Sequence, residues 1–175
     1  MSIRIFLCPD SDPRERPARL RAAAARFTGL DTSGWTRCVR AGGKPYFAEA
    51  PELAFSVSHS GDWWACAFGS APLGLDLERH APRPFARLSA RFFLPEEDAW
   101  LRARGGTAED FYRIWCAKEA VLKRSGAGLA GGLRAFSVLS PLPDGCALHY
   151  PAAPAGYTLC LCTAEPAEAL TIERL

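Results

Sequence analysis

The most informative stretch of the sequence is residues 115–123, which read Trp115-Cys116-Ala117-Lys118-Glu119-Ala120-Val121-Leu122-Lys123. The spacing of apolar residues predicts a helix over residues 111–124. Glu119 and Lys123 are four residues apart and therefore share one helix face. If exposed, they would form an ordinary surface ion pair worth only about 0.3 kcal/mol. Because the same stripe carries Trp115 and Leu122, which favour burial, we expect the pair to face a cleft.

A second informative stretch is residues 73–78, which read Leu73-Gly74-Leu75-Asp76-Leu77-Glu78. Side chains alternate between the two faces of a strand, so Asp76 and Glu78 share a face with Gly74. Taken alone, this pattern is compatible with a half-buried strand that has a solvated polar face. A third carboxylate from Glu119 on a facing helix would complete an oxygen-ligand set that suits Mg²⁺. A lysine one turn further along that helix, Lys123, could hold the anion bound by the metal.

Two weaker signals precede this strand. Lys44 follows Gly42-Gly43 in a predicted turn, where backbone and ammonium could both meet a phosphate, but the P-loop spacing is absent. Ser58-His59-Ser60 ends a predicted strand, where a histidine is either packed, solvated or a donor to an anion. Each of these signals alone is equally typical of an ordinary turn or strand end.

Composition excludes several classes of protein. The chain has 175 residues, a formal net charge of +2 and 49% hydrophobic residues, which is ordinary for a globular protein without a strong nucleic-acid-binding or membrane-binding field. Its seven cysteines contain no C-x-x-C pair, which favours reduced thiols and a cytoplasmic location. No apolar run reaches the roughly 20 residues of a membrane helix. Three of the 21 basic residues are lysines, and all three, Lys44, Lys118 and Lys123, lie in the motifs above.

Periodicity and turn residues predict an α+β fold. The predicted strands cover residues 3–7, 35–40, 53–57, 63–68, 73–78, 134–139, 147–150, 157–163 and 170–173. The predicted helices cover residues 19–27 and 85–93, a segment beginning at 95, and residues 107–124. The clearest boundary is residues 69–72, which divides the chain into an N-terminal lobe (1–71) and a C-terminal lobe (72–175) carrying the carboxylate strand and the Glu/Lys helix.

The ordered set of motifs resembles the 4'-phosphopantetheinyl transferases. The likeness runs from about Lys44 to Val138, and it is strongest to the two-lobed type that activates nonribosomal peptide and polyketide synthases. The resemblance implies two pseudo-symmetric lobes, each a small antiparallel sheet with a long helix, and coenzyme A in the cleft between them. A monomer is expected. The N-terminal lobe is shorter than in those enzymes, which leaves four arginines as candidates for the adenosine 3'-phosphate: Arg14, Arg16, Arg19 and Arg21.

The resemblance also implies residue roles. Asp76, Glu78 and Glu119 would bind Mg²⁺, which bridges the pyrophosphate of coenzyme A. Lys123 would hold the same phosphates, with Lys118 a weaker candidate. The 3'-phosphate or pyrophosphate would be contacted by Lys44, Ser58 and His59. The catalytic set implied is Glu119 as base, directly or through a metal-bound water, with Lys123 and His59. A serine hydroxyl of a carrier protein attacks the β-phosphate, and 3',5'-adenosine diphosphate leaves.

A basic helix suggests where the acyl or peptidyl carrier protein docks. Arginines spaced by four lie beside an apolar stripe in the predicted helix 85–93, and the candidate docking face is Arg83, Phe85, Arg87, Leu88, Arg91 and Phe92. The alternative is an amphipathic helix packed on its own core. Two other functions remain open: a non-catalytic module that binds coenzyme A or a carrier protein, and a magnesium-dependent phosphohydrolase or nuclease.

Overall fold

A computed structural model describes residues 2–126, 132–142, 145–167 and 169–175. The strands are β1 (Ser2–Pro9), β2 (Arg37–Val39), β3 (Pro45–Phe47), β4 (Ala54–Ser60), β5 (Trp63–Gly69), β6 (Leu73–Arg79), β7 (Ala147–His149), β8 (Tyr157–Thr163) and β9 (Ala169–Arg174). The helices are α1 (Arg16–Thr28), α2 (Phe85–Phe92), α3 (Pro95–Ala103) and α4 (Ala108–Ser125). These elements confirm the α+β prediction. Within the described ranges, no helix has both the length and the apolarity to cross a membrane.

The first sheet has the strand order β4-β5-β1-β9. Strands β4, β5 and β1 are antiparallel neighbours, whereas β9 runs parallel to β1, with Ser2 opposite Ala169 and Leu7 opposite Arg174. The prediction of a purely antiparallel first sheet is therefore wrong at this edge. Because β9 follows the predicted boundary at residues 69–72, the last strand completes the sheet of the first lobe. The two-lobe division and its pseudo-symmetry stay predictions.

The second sheet has the order β6-β8-β7 and is antiparallel throughout. The three leucines of β6 are fully buried against the first sheet, where they meet Ile3 and Ile5. The opposite face of β6 is covered by α4, as the period-two pattern predicts. The layers therefore run in the order α1, first sheet, second sheet, α4.

Gly74 explains how closely α4 approaches β6. A Cβ at this position would overlap the carbonyl oxygen of Ala120 and the backbone of Arg124. Glycine is required here for space, since the side chains flanking it on the same strand face could not otherwise reach the helix. This approach brings Asp76 and Glu78 next to the helix that carries Glu119.

A row of serines joins the two sheets. Ser56, Ser58 and Ser60 of β4 accept hydrogen bonds from the backbone N–H groups of Leu75 (2.9 Å), Leu77 (3.1 Å) and Arg79 (3.1 Å) of β6, respectively. We call these three residues the serine ladder. Serine hydroxyls thus satisfy edge amides of β6 that would otherwise lack a partner. The ladder fixes the position of β4 relative to the carboxylates of β6.

The predicted strand at residues 134–139 is wrong, since this segment forms turns and bends. Its backbone groups are bound by two buried charged side chains instead of a neighbouring strand. Lys118 donates to the carbonyls of Leu133 and Phe136, both at 2.7 Å, and Glu97 accepts from the N–H of Val138 at 2.9 Å. The alternation of apolar residues reflects packing on α3 and α4 rather than membership of a sheet.

Candidate active site

Asp76 is the centre of the candidate site. Its side chain is 5% exposed, and its Oδ1 accepts hydrogen bonds from the hydroxyl of Ser58 (3.0 Å) and the ammonium of Lys123 (2.7 Å). Its Oδ2 is buried and has no hydrogen-bond partner in the described part of the chain. A buried carboxylate oxygen without a partner is energetically costly. That cost is removed when a cation binds the free oxygen.

Glu78 and Glu119 extend the negative charge around Asp76. Burial and then the neighbouring Asp76 raise the pKa of both carboxyl groups above the usual value for glutamate. Glu78 is additionally held by Ser60, whose hydroxyl donates to Oε2 at 2.8 Å. The three carboxylates therefore repel one another across the space between β6 and α4. A cation bound between them would reduce this repulsion.

The three carboxylates have the chemistry that suits a magnesium ion, although their side chains do not form a complete coordination shell. Among the described residues, no group of three or more His, Cys, Asp or Glu side chains has the geometry of a metal site. Oxygen ligands from a few carboxylates are what Mg²⁺ uses, with water and phosphate in the remaining positions. The unpartnered Oδ2 of Asp76 is the observation that supports the fit. Glu78 and Glu119 would therefore have to move toward Asp76 to complete the shell.

Lys123 connects this acidic cluster with a basic cavity. Its ammonium also lies 3.0 Å from the hydroxyl of Ser58, and its side chain lines a cavity of about 280 Å³ together with Arg37, Lys44 and Gly42. Lys123, which pairs with Asp76, therefore joins two further cations, Arg37 and Lys44, in a cavity whose remaining lining is mostly glycine and apolar residues. This arrangement suits a ligand that carries several phosphates.

Lys44 lines the same cavity and also fastens the end of α4. Its ammonium donates to the carbonyl of Arg124 at 2.6 Å, at the carbonyl-rich end of the helix, and lies 3.3 Å from the carbonyl of Leu73. Burial, followed by the positive charge of Arg124, lowers the pKa of Lys44 to about 8. An anion in the cavity would restore its usual basicity.

His59 points to the other face of β4, away from Ser58 and Ser60. It lines a neighbouring cavity of about 250 Å³ with Arg16, Arg37 and Trp64. Desolvation, followed by the positive charge of Arg16, lowers the pKa of His59. Because Arg37 and Val57 line both cavities, the two adjoin, and we call them together the groove. The cationic residues that line the groove are Arg16, Arg37, Lys44 and Lys123. The roles of His59 as a phosphate contact and catalytic residue stay predictions.

The four candidate arginines of the N-terminal segment differ in their availability. Arg14 pairs with Asp12, and Arg19 pairs with Asp10 and Glu15. Arg16 also pairs with Asp10, but it lines the cavity that contains His59. Arg21 lines none of the cavities described here. Arg16 is therefore the member of this set that a ligand in the groove would meet.

Lys118 lies outside the site, which corrects its prediction as a phosphate contact. Its side chain is fully buried, and its ammonium binds the carboxylate of Glu97 at 2.8 Å in addition to the two carbonyls described above. An ammonium has three N–H donors, and all three are used. It anchors the segment after α4 instead of binding a ligand.

The apolar half of the predicted docking face packs on the chain's own core, as the alternative interpretation of this helix held. Phe85 contacts Phe111 with a ring-centroid distance of 4.8 Å, and Phe92 contacts Trp115 at 5.7 Å. Leu88 is likewise half-buried. In contrast, the arginines of this face are exposed: Arg83, Arg87 and Arg91. A small cavity of about 160 Å³ between Arg83, Leu88, Trp115 and Glu78 links the start of α2 with the carboxylates.

Two contributors were missed by sequence reasoning. Arg37 lies in a short strand without a motif, so nothing in the sequence marks it as a groove residue. Ser60 was noted only as a neighbour of His59, yet it binds Glu78 directly. The alternation of serines at 56, 58 and 60 was the available signal, because a strand places all three on one face.

Comparison with known proteins assigns the family. Residues 72–167 match the family model of the 4'-phosphopantetheinyl transferase superfamily. This match covers more than half of the chain and includes β6, α4 and all three carboxylates. The chain belongs to the 4'-phosphopantetheinyl transferase superfamily, and the predicted enzyme class is confirmed.

Individual relatives extend the likeness into the first sheet. Over 160 residues the chain is 37% identical to a 4'-phosphopantetheinyl transferase of Bacillus subtilis and 32% identical to the 4'-phosphopantetheinyl transferase Sfp of Bacillus subtilis strain 168. Each of these alignments covers 84% of this chain and 71% of the relative. This chain is also 34% identical over 146 residues to the 4'-phosphopantetheinyl transferase psf-1 of Bacillus pumilus, and that alignment covers 76% of this chain and 62% of the relative.

Proposed function

We propose that this chain transfers the 4'-phosphopantetheine arm of coenzyme A to a serine of an apo acyl or peptidyl carrier protein. The reaction depends on Mg²⁺ and releases 3',5'-adenosine diphosphate. The observation that carries the proposal is the buried Asp76 carboxylate, with one oxygen held by Ser58 and Lys123 and the other without a partner in the described residues. It lies where an acidic cluster meets a cationic groove, which is the charge pattern that a metal–pyrophosphate complex requires.

Asp76, Glu78 and Glu119 hold the magnesium ion. When bound, Mg²⁺ neutralises charge on the pyrophosphate and makes the phosphate leaving group a better one. The three carboxylates would supply the negative charge that attracts the cation. Burial, followed by the charge of Asp76, raises the pKa of Glu78 and of Glu119, and a bound cation would offset both effects. Oδ2 of Asp76, which has no partner among the described residues, would be one of the ligands.

Lys123 binds the pyrophosphate from the side of α4. Its ammonium already lies at the boundary between Asp76 and the cationic cavity. A flexible lysine can move from the carboxylate to a phosphate oxygen without leaving the site. Because phosphoryl transfer needs in-line positioning and charge neutralisation more than an enzyme nucleophile, this ammonium is central to the reaction.

Glu119 accepts the proton of the attacking serine, directly or through a water. The serine oxygen forms a bond to the β-phosphorus, the bond from that phosphorus to the bridging oxygen of the pyrophosphate breaks, and 3',5'-adenosine diphosphate leaves with the electron pair.

The groove holds the nucleotide part of coenzyme A. Lys44 and Arg37 line the cavity next to Lys123, and His59 with Arg16 lines the continuation. We assign the pyrophosphate to the Lys123 end and the adenosine 3'-phosphate to the end with His59 and Arg16.

The carrier protein docks on α2. The exposed Arg83, Arg87 and Arg91 present positive charge to an acidic helical partner and speed its encounter. The small cavity between Arg83, Leu88 and Trp115 opens beside Glu78. A serine of a carrier bound here would approach the β-phosphate from the side opposite the nucleotide groove.

Mass spectrometry of the carrier tests the proposal. The full chain is incubated with an apo carrier protein, coenzyme A and Mg²⁺, and the carrier should gain the mass of one phosphopantetheine arm on its serine. Omission of Mg²⁺ and addition of chelator should each abolish the gain. Binding of coenzyme A without any mass gain across several carriers would instead establish the non-catalytic module. Hydrolysis of phosphate esters without carrier modification would establish the phosphohydrolase.

A further inference from the structure

The three residues of the serine ladder differ in the partners to which their hydroxyl groups donate. Each hydroxyl accepts one N–H from β6 and has one proton left to donate. Ser58 donates that proton to Oδ1 of Asp76, and Ser60 donates its proton to Oε2 of Glu78. Ser56 has the same backbone bond to Leu75, and no carboxylate partner is recorded for it among the residues described.

In Ser60 these two hydrogen bonds leave the side chain little freedom. The N–H of Arg79 lies 3.1 Å from Oγ and fixes one side of the hydroxyl, while Oε2 of Glu78 lies 2.8 Å away on the other. Both partners belong to β6 and are adjacent in sequence, so the serine, the amide and the carboxylate form one closed unit. One oxygen of Glu78 is therefore held in a set direction, and the other remains for a ligand.

The same relationship holds one step along the ladder. Ser58 holds Oδ1 of Asp76 and leaves Oδ2 without a partner in the described structure. Two successive serines thus each occupy one oxygen of one carboxylate. Partners that orient ligating carboxylates in this way commonly change metal affinity by about 10- to 100-fold when they are removed.

We propose that Ser60 is a positioning residue that orients Glu78 for the metal ion. The inference rests on the proposed function for the identity of the metal, but it concerns a residue to which the motifs gave no role. Ser58 is less suitable as a probe, because its removal would also disturb Lys123. Ser60 contacts Glu78 alone among the carboxylates of the site, as far as the described residues show.

Three variants test the proposal: Ser60→Ala, Ser60→Thr and Ser56→Ala. The first removes the hydroxyl, and the second retains it. Ser56→Ala is the matched control for metal affinity, because it loses the same kind of backbone hydrogen bond at the other end of the ladder. It is not a control for transfer, because Ser56 also lines the cavity that contains Lys123. If Ser60 has only a structural role, Ser60→Ala and Ser56→Ala should have the same metal affinity.

Binding of Mn²⁺ to the full chain is measured by the electron paramagnetic resonance signal of the free ion, and the Mg²⁺ concentration for half-maximal transfer is measured in parallel. We expect Ser60→Ala to raise the Mn²⁺ Kd and the Mg²⁺ requirement about tenfold. Ser60→Thr should restore both to within about threefold of the wild type. Ser56→Ala should leave the Mn²⁺ Kd within about twofold of the wild type while lowering Tm about as much as Ser60→Ala does.

Metal affinities of Ser60→Ala and Ser56→Ala that agree would overturn the proposal, as would a Ser60→Thr variant as impaired as the alanine. The metal isotherm also separates this inference from the proposed function. If the wild-type chain modifies no carrier, the proposed function fails, whereas the comparison of Mn²⁺ affinities still decides the role of Ser60.

Discussion

The ammonium of Lys123 lies 2.7 Å from Oδ1 of Asp76 and is shared with the hydroxyl of Ser58 at 3.0 Å. One side chain of α4 thereby contacts both β6 and β4, which belong to different sheets. The contact neutralises part of the charge of Asp76 while no metal is bound. Lys123 thus has a structural partner and, in the proposed reaction, a phosphate partner.

Two replacements of Lys123 should distinguish the contribution of its positive charge to transfer from the contribution of its side-chain shape. Lys123→Met removes the cation beside buried Asp76, and we expect transfer to fall by about 10²- to 10³-fold, as for loss of a donor to developing charge. Lys123→Arg keeps the charge, but a planar guanidinium does not fit between Ser58 and Asp76 as an ammonium does, so we expect a loss of at least about tenfold. Steady-state kcat with carrier protein measures both. An arginine variant with wild-type kcat would contradict the requirement for an ammonium.

Glu119→Gln should abolish transfer without destabilising the fold. A carboxyl group whose pKa is raised on folding costs stability as the pH rises above its unfolded value, here 4.5. Without metal, the glutamine variant should therefore match or exceed the Tm of the wild type at pH 8, and this difference should vanish near pH 4. Thermal unfolding at the two pH values checks the sign. A large drop of Tm at pH 8 would make Glu119 a structural residue.

Lys118→Met should impair stability and not ligand binding. Removing one partner of the fully buried ion pair leaves Glu97 with an uncompensated charge, which typically costs about 3–5 kcal/mol. The double variant Lys118→Met/Glu97→Gln should recover part of this loss, and denaturant unfolding measures the coupling. Coenzyme A affinity of the folded protein should stay within about threefold of the wild type. A folded Lys118→Met variant with normal stability and weak coenzyme A binding would restore the phosphate role.

Gly74→Ala should disrupt the contact between β6 and α4. Its Cβ would overlap backbone atoms of α4, which cannot move away as a flexible side chain can. We expect a loss of about 1–3 kcal/mol or more in the free energy of unfolding, with loss of metal binding as the carboxylates move away from Glu119. Gly34→Ala is the matched control, because Gly34 has no atom within 4 Å of an added Cβ. Equal stability of the two variants would contradict the close approach.

Charge reversal on α2 should affect the carrier protein alone. Arg87→Glu and Arg91→Glu together should lower kcat/KM for the carrier about tenfold at low salt, with a smaller effect at high salt, because exposed charges act chiefly on association. The KM for coenzyme A should not change. Arg26→Glu on α1, an exposed arginine that lines none of the cavities described above, serves as the control and should leave both constants unchanged.

Local patterns predicted the elements that build the site. Helix α4 and strand β6 follow from the 3.6- and 2-residue periods, and the placement of Asp76, Glu78 and Glu119 on facing surfaces follows from them. Gly74 was correctly expected on the face of the carboxylates, where its lack of a side chain matters. The metal-ligand roles that the family resemblance implies for these residues stay predictions.

Local periodicity could not predict which side chains pair with residues distant in the sequence. Lys118 and Lys123 lie in the same motif, yet one is buried against Glu97 and the other faces Asp76, since they project from different faces of one helix. The partner of Lys118 is 21 positions away in α3, and no periodicity links the two. The same buried pair forms hydrogen bonds with backbone groups of residues 133–138. These bonds explain why the alternating apolar pattern of this segment does not form a strand.

The pairing of β9 with β1 has a consequence for how the chain is made. Ser2–Pro9 is synthesised well before its parallel partner Ala169–Arg174, because residues 10–168 lie between the two strands. Until β9 has been synthesised, one edge of the first sheet lacks its neighbour and presents open backbone groups to other nascent chains. Contacts so distant in sequence also slow folding, because a long loop must close before they form. The first sheet is thus completed only after β9 has been synthesised, and chaperone dependence should follow the exposure of β1 rather than the state of the acidic site.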